Sequence, residues 1–360
     1  MALINNPIIR KDIEEILQTT YIDWSRFNGK TILITGANGM LPSYLVYTFL
    51  YMKVYLGYDV TVVGLVRDVG KAKLVLNDVL SNENFQLITQ DVADQIMVDK
   101  KIDYVIHAAS QASPKFYGVD PVGTINANVL GSINTLKIAH KHDAEGYLYF
   151  SSGEVYGIVD PSRFPFTEND YGFIDLLKVR TCYAESKRMG ENLCVAWNHQ
   201  YNVPTKIVRI YHTYGPGFSM NDRRVFSDFC GNIIRNEDIV LHSDGMAKRP
   251  FCYIVDATKA FVKILLDGRN AEAYNMANMD CNISILELAE TLVNLYPEKK
   301  LKTQVEILKG DIISDKMKNP LMDAEPDCTK LKQLGWQPTI GIKEGFKRTI
   351  ESYKYFTQEF

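Results

Sequence analysis

The chain has 360 residues, of which 46% are hydrophobic, so it can bury a large core and exceeds the usual length of one domain. Its formal net charge of −3 gives no reason to expect nucleic acid or an anionic membrane as a partner. No apolar run approaches the ~20 residues of a membrane span, and six scattered cysteines without a CxxC pair indicate reduced thiols in a cytoplasmic protein with no metal site.

Residues 1–29 form an extension that precedes the first predicted strand. The extension contains an amphipathic stretch, Lys11–Leu17, with apolar residues on one helical face. We predict a helix there that packs on the following domain or on a second subunit.

From residue 30 to residue 211, strand-like apolar runs alternate with helical patterns. This alternation predicts an α/β domain built on a doubly wound parallel sheet. The apolar, tyrosine-rich stretch Leu45–Leu56 is predicted to be the first crossover helix. After Pro216 the pattern changes to helices, loops and short strands, which indicates a smaller C-terminal part, 212–360, interleaved with returns to the main sheet. The predicted strands are Thr31–Thr35, Val60–Val66, Phe85–Thr89, Tyr104–His107, Gly146–Ser151 and Thr205–Ile210.

A glycine turn follows the first predicted strand, where the chain reads Thr35-Gly36-Ala37-Asn38-Gly39-Met40. A strand, a glycine turn and a helix start together seat a pyrophosphate on backbone N–H groups. Glycine suits the turn because a Cβ would force a strained φ or hold the phosphate away from the backbone. The turn predicts a dinucleotide site.

Tyr183 and Lys187 are spaced i, i+4, so both side chains leave one face of a helix. An ammonium beside a phenol favours the phenolate, which would let the tyrosine transfer protons near neutral pH. Together with the glycine turn, the pair predicts a hydride-transfer enzyme. The alternative is an exposed helical pair without a catalytic role.

Several short stretches occur in the order typical of one protein family. They are Thr35–Gly39, His107–Ala109, Asn128–Gly131, Ser151–Gly157, Tyr183 with Lys187, Arg209–Pro216 and Arg249–Asp256. From about Lys30 to about Trp336, the chain therefore resembles an extended short-chain dehydrogenase/reductase of the nucleotide-sugar epimerase/dehydratase group. The resemblance implies a Rossmann-type domain, 30–211, that binds NAD or NADP, and a C-terminal part that binds a nucleotide-diphosphate sugar.

The resemblance also implies a reaction and its catalytic residues. Ser152, Tyr183 and Lys187 match the family's triad, which oxidises the sugar C4 hydroxyl before epimerisation, dehydration or decarboxylation through a 4-keto intermediate. Glu154 matches a carboxylate that moves a proton at C5 or orients a neighbouring group, although a buried acid held by backbone N–H groups is the alternative. Gly153 stands where dehydratases acting on dTDP-glucose carry an aspartate that protonates the leaving C6 hydroxyl.

On the cofactor side, Pro42 replaces the family's third glycine, within the first helical turn where proline is tolerated. NAD-preferring sites usually place an acid at the end of the second strand, but Arg67 follows that strand here. Arg67, helped by Lys71, favours a 2′-phosphate and so NADP over NAD, unless it is a surface arginine beside Asp68. The residues implied to contact the cofactor are Gly36, Asn38, Gly39, Met40, Arg67, Asp91, Val92, Ala108, Ala109, Asn128, Tyr183 and Lys187.

On the substrate side, arginines suit a diphosphate because the guanidinium group can bind it through two hydrogen bonds. Arg249 is expected to bind phosphate or to pair with Asp256, and Arg224 is a second candidate beside Arg223. His212 would bind phosphate or cap a strand. The residues implied to contact the sugar nucleotide are Ser110, Ser152, Gly153, His212, Arg224 and Arg249.

The middle of the chain, which includes Asn221–Val225 and Asp244–Gly245, resembles UDP-glucuronate decarboxylases most closely. The chain departs from that pattern at His212, which replaces an asparagine, and at Ala324, which replaces an arginine near the C-terminus. Loss of this cation removes a partner for a substrate anion.

Two other functions remain open from the sequence: a net NADPH-dependent reductase of nucleotide-4-ketosugars, and a degenerate cofactor-binding scaffold protein. For the assembly, we expect a homodimer through the apolar helices around Val129–Ile138 and Tyr183–Gln200. The alternative is a monomer in which the N-terminal extension covers these helices.

Overall fold

A computed structural model describes residues 4–218, 222, 224–306 and 325–356 of the chain. Within these ranges, the α-helices are α1 Pro7–Leu17, α2 Met40–Leu56, α3 Val69–Val75, α4 Pro114–Tyr117, α5 Pro121–Lys141, α6 Cys182–Tyr201, α7 Val225–Arg235, α8 Ile254–Asp267, α9 Ile285–Asn294, α10 Thr329–Gln333 and α11 Ile342–Ser352. The strands are β1 Lys30–Thr35, β2 Val60–Val66, β3 Phe85–Thr89, β4 Tyr104–His107, β5 Gly146–Ser152, β6 Thr205–Ile210, β7 Thr213–Tyr214, β8 Ile239–Leu241, β9 Lys248–Pro250, β10 Cys252–Tyr253, β11 Glu272–Met276, β12 Asn282–Ser284 and β13 Thr303–Val305.

A seven-stranded sheet in the order β11-β6-β5-β4-β1-β2-β3 forms the centre of the fold, and its strands pair in parallel. The predicted doubly wound sheet is therefore confirmed, as are its predicted strands, to within one residue at their ends. Strand β11 pairs with β6 and so makes the return to the main sheet that was predicted after Pro216, although no strand was predicted at its residues. It is short, and Glu272 and Asn275 interrupt its apolar residues.

Both faces of the sheet are buried, as expected when crossover helices cover a parallel sheet. Along β1, Ile32 and Ile34 pack into one core while Leu33 packs into a second core on the opposite face. Helices α2 and α8 cover the first face, and α5 and α6 cover the second. Among the described helices, none is both long and apolar enough to cross a membrane.

The extension forms the helix α1, Pro7–Leu17, which begins four residues before the predicted amphipathic stretch Lys11–Leu17. Asn6 begins the helix by accepting hydrogen bonds from the N–H groups of Ile8 and Ile9, and Pro7 occupies the first helical turn. The helix packs against α2, α8 and α11. Because it covers the outer side of α2, residues 42–52 of that helix are buried all round.

The position of α1 corrects one expectation about the assembly. The extension does not cover α5 and α6, because α2 and α8 lie on the other face of the sheet. The outer side of α5 and α6 keeps exposed apolar side chains, which include Ile125, Leu130, Met189 and Val195. A monomer shielded by the extension is therefore wrong as an alternative to the dimer.

Candidate active site

The glycine turn joins β1 to α2 at the carboxyl edge of the sheet. Gly36 has a φ of +66°, and a Cβ on it would lie 2.8 Å from the Cα of Ala109, so only glycine fits. The N–H of Gly39 donates to the carbonyl of Gly36 at 2.8 Å, and α2 begins at Met40 with Gly39 as its cap. Since Gly39 has no side chain to cap the helix, its first N–H groups can bind a phosphate. The turn therefore fits the pyrophosphate of a nicotinamide dinucleotide.

Thr35 connects this turn to the end of β4. Its hydroxyl accepts hydrogen bonds from the N–H groups of Ala108 and Ala109, both at 3.1 Å, and lies 2.8 Å from Nδ1 of His107. Burial, together with the nearby charge of Lys187, lowers the pKa of His107 to about 3, so the ring is neutral. The structure thus brings the predicted residues Ala108 and Ala109 against Gly36.

The predicted adenosine end lies beyond β2 and β3. Arg67 is 60% exposed, and its Nη1 lies 3.8 Å from Oδ2 of Asp91. Asp91 also accepts a hydrogen bond from the N–H of Ala93 at 2.9 Å, so it shapes its own loop. Val92 is buried, and Asn38 donates to the carbonyl of Asp68 at 3.1 Å.

Asn128 lies deeper than the other predicted cofactor residues. It is fully buried between α5 and α6, where its Nδ2 donates to the hydroxyl of Ser186 at 2.9 Å. Its Oδ1 has no partner among the described residues. The structure therefore places Asn128 against α6, next to the segment that carries Tyr183 and Lys187.

The triad residues meet at the end of β5 and the start of α6. Ser152 ends β5, and its hydroxyl accepts a hydrogen bond from the N–H of Glu154 at 3.2 Å. The same hydroxyl lies close enough to Tyr183 to lower the pKa of the phenol. Lys187 is buried and donates to the carbonyl of Phe150 at 2.6 Å, with its Nζ 5.7 Å from the centre of the Tyr183 ring.

The pKa of Tyr183 differs from the value expected from the sequence, which was a pKa lowered by Lys187. Burial raises the pKa of Tyr183, and the negative charge of Glu154 raises it further. Burial lowers the pKa of Lys187 to about 7, against a smaller opposing effect of Glu191. The net change in the pKa of Tyr183 is therefore upward, opposite to the lowering expected from the nearby ammonium, and burial is its largest cause.

Two residues that the sequence analysis missed complete this cluster. The ring of Tyr117 stacks on that of Tyr183, with centroids 4.7 Å apart, and Tyr117 lowers the pKa of the Tyr183 phenol slightly. Arg180 donates from Nη1 to Oε2 of Glu154 at 3.0 Å. Arg180 lies three residues before Tyr183, but no motif marked it in the sequence.

Gly153 has a steric reason to be glycine. A Cβ there would lie 2.7 Å from Cε1 and 2.8 Å from Cζ of Tyr211, so the tyrosine ring fills the space of a side chain at position 153. The structure thus explains why no aspartate stands beside Glu154.

The predicted phosphate residues gather around His212. Burial, with the positive charges of Arg249 and Arg224, lowers the pKa of His212 to about 3, so a neutral ring lies close to two cations. Arg224 donates from Nε to Oδ2 of Asp222 at 2.8 Å. Asp256 accepts hydrogen bonds from the N–H groups of Thr339 and Ile340, so it ties α8 to the C-terminal part instead of pairing with Arg249.

The other residues chosen from the sequence are either buried near the site or outside the described ranges. The hydroxyl of Ser110 is buried and has no partner among the described residues. Asn221, Arg223 and Ala324 lie outside the described residues. All six cysteines are free thiols.

Comparison with known proteins gives consistent relatives. Residues 32–277 match the sequence model of the NAD dependent epimerase/dehydratase family. The chain is 34% identical over 276 residues to UDP-glucuronic acid decarboxylase 6 of Arabidopsis thaliana, which covers 76% of each chain. It is 31% identical to UDP-glucuronic acid decarboxylase 1 of Danio rerio, over 92% of this chain and 73% of that one.

Among solved structures, UDP-glucuronic acid 4-epimerase from Bacillus cereus, in complex with UDP-glucuronic acid and NAD, is similar in fold. The two have a TM-score of 0.72 at 21% identity, over 90% of this chain and 99% of the other. At this identity the similarity shows the fold alone.

Proposed function

The chain belongs to the NAD dependent epimerase/dehydratase family, and from this we propose that it oxidises C4 of a nucleotide-diphosphate sugar and then rearranges the resulting 4-keto sugar. The observation that carries the proposal is the cluster at the carboxyl edge of the sheet. There, Ser152 lies beside Tyr183, and Nζ of Lys187 lies 5.7 Å from the centre of the tyrosine ring.

Each residue of the cluster has a distinct role in this proposal. Tyr183 removes the proton of the C4 hydroxyl, and Ser152 holds that oxygen through its own hydroxyl. Lys187 holds the nicotinamide ribose from beneath the tyrosine. When bound, the nicotinamide accepts the hydride from C4 and later returns it. Gly36, Gly39 and the start of α2 hold its pyrophosphate.

The diphosphate of the substrate is assigned to the region around His212. The two arginines near this neutral histidine, Arg224 and Arg249, supply the positive charge that a diphosphate needs. Residues 212–360 form most of this substrate-binding part, and the sugar reaches across to Ser110 and Ser152. A UDP-sugar is the first substrate to test, because the relatives from plants and fish are named for UDP-glucuronic acid.

The rearrangement that follows oxidation is assigned to the neighbourhood of Glu154. The ring of Tyr211 fills the space beside it, so no acid at position 153 can protonate a leaving group at C6. Chemistry that needs only the carboxylate, such as proton transfer at C5, epimerisation or loss of carbon dioxide, is therefore favoured over elimination of water.

We propose NADP as the preferred cofactor because a cation, Arg67, follows β2 where an acid would favour NAD. Arg67 is 60% exposed, and its nearest acid, Asp91, is 3.8 Å away, so this contact competes weakly with a 2′-phosphate. The same arginine supports a second candidate function, a net NADPH-dependent reduction of a 4-ketosugar. A reductase exchanges its cofactor at each turnover, whereas a transient oxidant retains it.

We also propose a homodimer through α5 and α6, supported by their exposed apolar side chains. The contact would be isologous and would form a four-helix bundle between subunits. A cytoplasmic location is proposed from the six free thiols.

One experiment tests the function directly. The purified full-length protein is denatured, and the released small molecules are identified by mass spectrometry. We expect the denatured sample to release NADP or NAD. In a native sample, addition of UDP-glucose or UDP-glucuronic acid should reduce the nicotinamide. A protein that binds the dinucleotide but reduces none of it with either sugar would contradict the proposal and favour the scaffold alternative.

A further inference from the structure

A partly buried ion pair between Glu154 and Arg180 lies beside Tyr183, and the proposed oxidation at C4 assigns it no role. The side chain of Glu154 is 10% exposed and that of Arg180 is 28% exposed. The charge of Glu154 raises the pKa of both Tyr183 and Tyr117, so its carboxylate lies close to the two phenols. The Arg180 guanidinium lies 5.6 Å from the centre of the Tyr117 ring. The pair and the stacked tyrosines therefore form one cluster.

The contact between the two charges is asymmetric. Nη1 of Arg180 lies 3.0 Å from Oε2 of Glu154, whereas Nη2 lies 3.5 Å from Oε1. The shorter hydrogen bond occupies Oε2 and fixes the plane of the carboxylate. The longer one leaves Oε1 the more available of the two oxygens for a proton from another group.

The chain gives Glu154 few other restraints. Its N–H donates to the hydroxyl of Ser152 at 3.2 Å, which places the backbone beside the site of oxidation. No side chain at position 153 supports it, because Tyr211 occupies that space. Among the described residues, Arg180 supplies the only ion pair that Glu154 makes.

We propose that Arg180 is a positioning residue that aims Oε1 of Glu154 at C5 of the 4-keto sugar. This inference rests on the proposed function, because the C4 ketone makes the C5 proton acidic. The C5–H bond breaks, an O–H bond forms on Glu154, and the electron pair moves into the C4 oxygen to give an enolate. The reverse step returns a proton to C5, and no further oxidant or reductant is needed.

The test separates proton transfer at C5 from hydride transfer at C4. The full-length enzyme is incubated with its dinucleotide and UDP-glucuronic acid or UDP-glucose in D2O. Nicotinamide absorbance reports oxidation at C4, and mass spectrometry reports deuterium at C5. The variants are Arg180→Met, Arg180→Lys and, as a matched control, Arg163→Met, since Arg163 is an exposed arginine paired with Asp170.

Arg180→Met is expected to slow deuterium incorporation by about 100-fold, the scale of misplacing a reacting group by about 1 Å. Oxidation at C4 should stay within about threefold, because Arg180 does not contact Tyr183 through a hydrogen bond. Arg180→Lys should restore part of the exchange, and Arg163→Met should change neither rate.

Equal losses at C4 and C5 in Arg180→Met would overturn the inference, because they would indicate a structural role. Oxidation at C4 without any exchange at C5 in the unmodified enzyme would also overturn it, while leaving the proposed function intact. Absence of nicotinamide reduction with both sugars in the unmodified enzyme would overturn the proposed function and this inference together.

Discussion

Asp12 offers a sharp test of how the N-terminal helix is held. The residue is fully buried, and its Oδ2 accepts hydrogen bonds from the hydroxyls of Tyr44 at 3.0 Å and Tyr253 at 2.7 Å. Its Oδ1 accepts a hydrogen bond from Arg348 at 2.9 Å. Burial nevertheless raises the pKa of Asp12 from 3.8 to about 6, because these partners offset only part of the lost hydration.

The raised pKa fixes both the sign and the size of the expected effect. The folded protein binds the Asp12 proton more tightly than the unfolded chain, so the stabilisation from this group is complete below about pH 4. It is lost as the pH rises through about 6. The shift from 3.8 to about 6 corresponds to about 3 kcal/mol in the free energy of unfolding.

The assay is chemical denaturation of the full-length protein at pH steps from 4 to 7.5, with Asp12→Asn beside the unmodified chain. An asparagine cannot ionise, so the unmodified chain should lose up to about 3 kcal/mol relative to Asp12→Asn across this range. Asp99→Asn, at an exposed position, is the matched control and should follow the unmodified chain. A difference that is flat, or that grows in favour of the unmodified chain as the pH rises, would refute the reasoning.

Three further predictions concern the cofactor, the catalytic phenol and the assembly. Tyr183→Phe should abolish hydride transfer while binding of cofactor and sugar nucleotide stays within a few-fold, since the phenol acts in the transition state; an activity loss below tenfold would remove Tyr183 from the chemistry. Arg67→Ala should weaken NADP binding by about 1–3 kcal/mol and barely change NAD binding in calorimetry, and equal effects on both would place Arg67 away from the 2′-position. Sedimentation should show a dimer that Leu130→Glu converts to a monomer, with Val54→Glu, at an equally exposed site on α2, as the control; a monomeric unmodified chain would rule out the interface.

The sequence predicted the sheet well because its strands are continuous apolar runs, which only a sheet covered on both faces can bury. Helices α5 and α6 were also predictable, since apolar residues recur along each of them at helical spacing. The short strand β11 was not, because a polar-interrupted run of five residues becomes a strand only when β6 is beside it.

In the candidate site, too, some residues could be predicted from the sequence and others could not. Residues in local motifs, such as Gly36 and the pair of Tyr183 and Lys187, could be chosen from spacing. Arg180 and Tyr117 could not, because their importance depends on contacts between segments that are distant in sequence. The pKa of Tyr183 was also beyond reach, because it depends on how deeply the surrounding chain buries the phenol.

The position of α1 has a consequence for how the chain folds as it is synthesised. Helix α1 precedes the main sheet in the chain, but its partners include α8 and α11, which are synthesised much later. Asn6, for example, donates to the carbonyl of Ser352 at 3.0 Å. We therefore expect α1 to dock fully only after α11 has been made, which leaves the outer side of α2 uncovered until then. Its tyrosines would then be the surface of the nascent chain that most needs a chaperone.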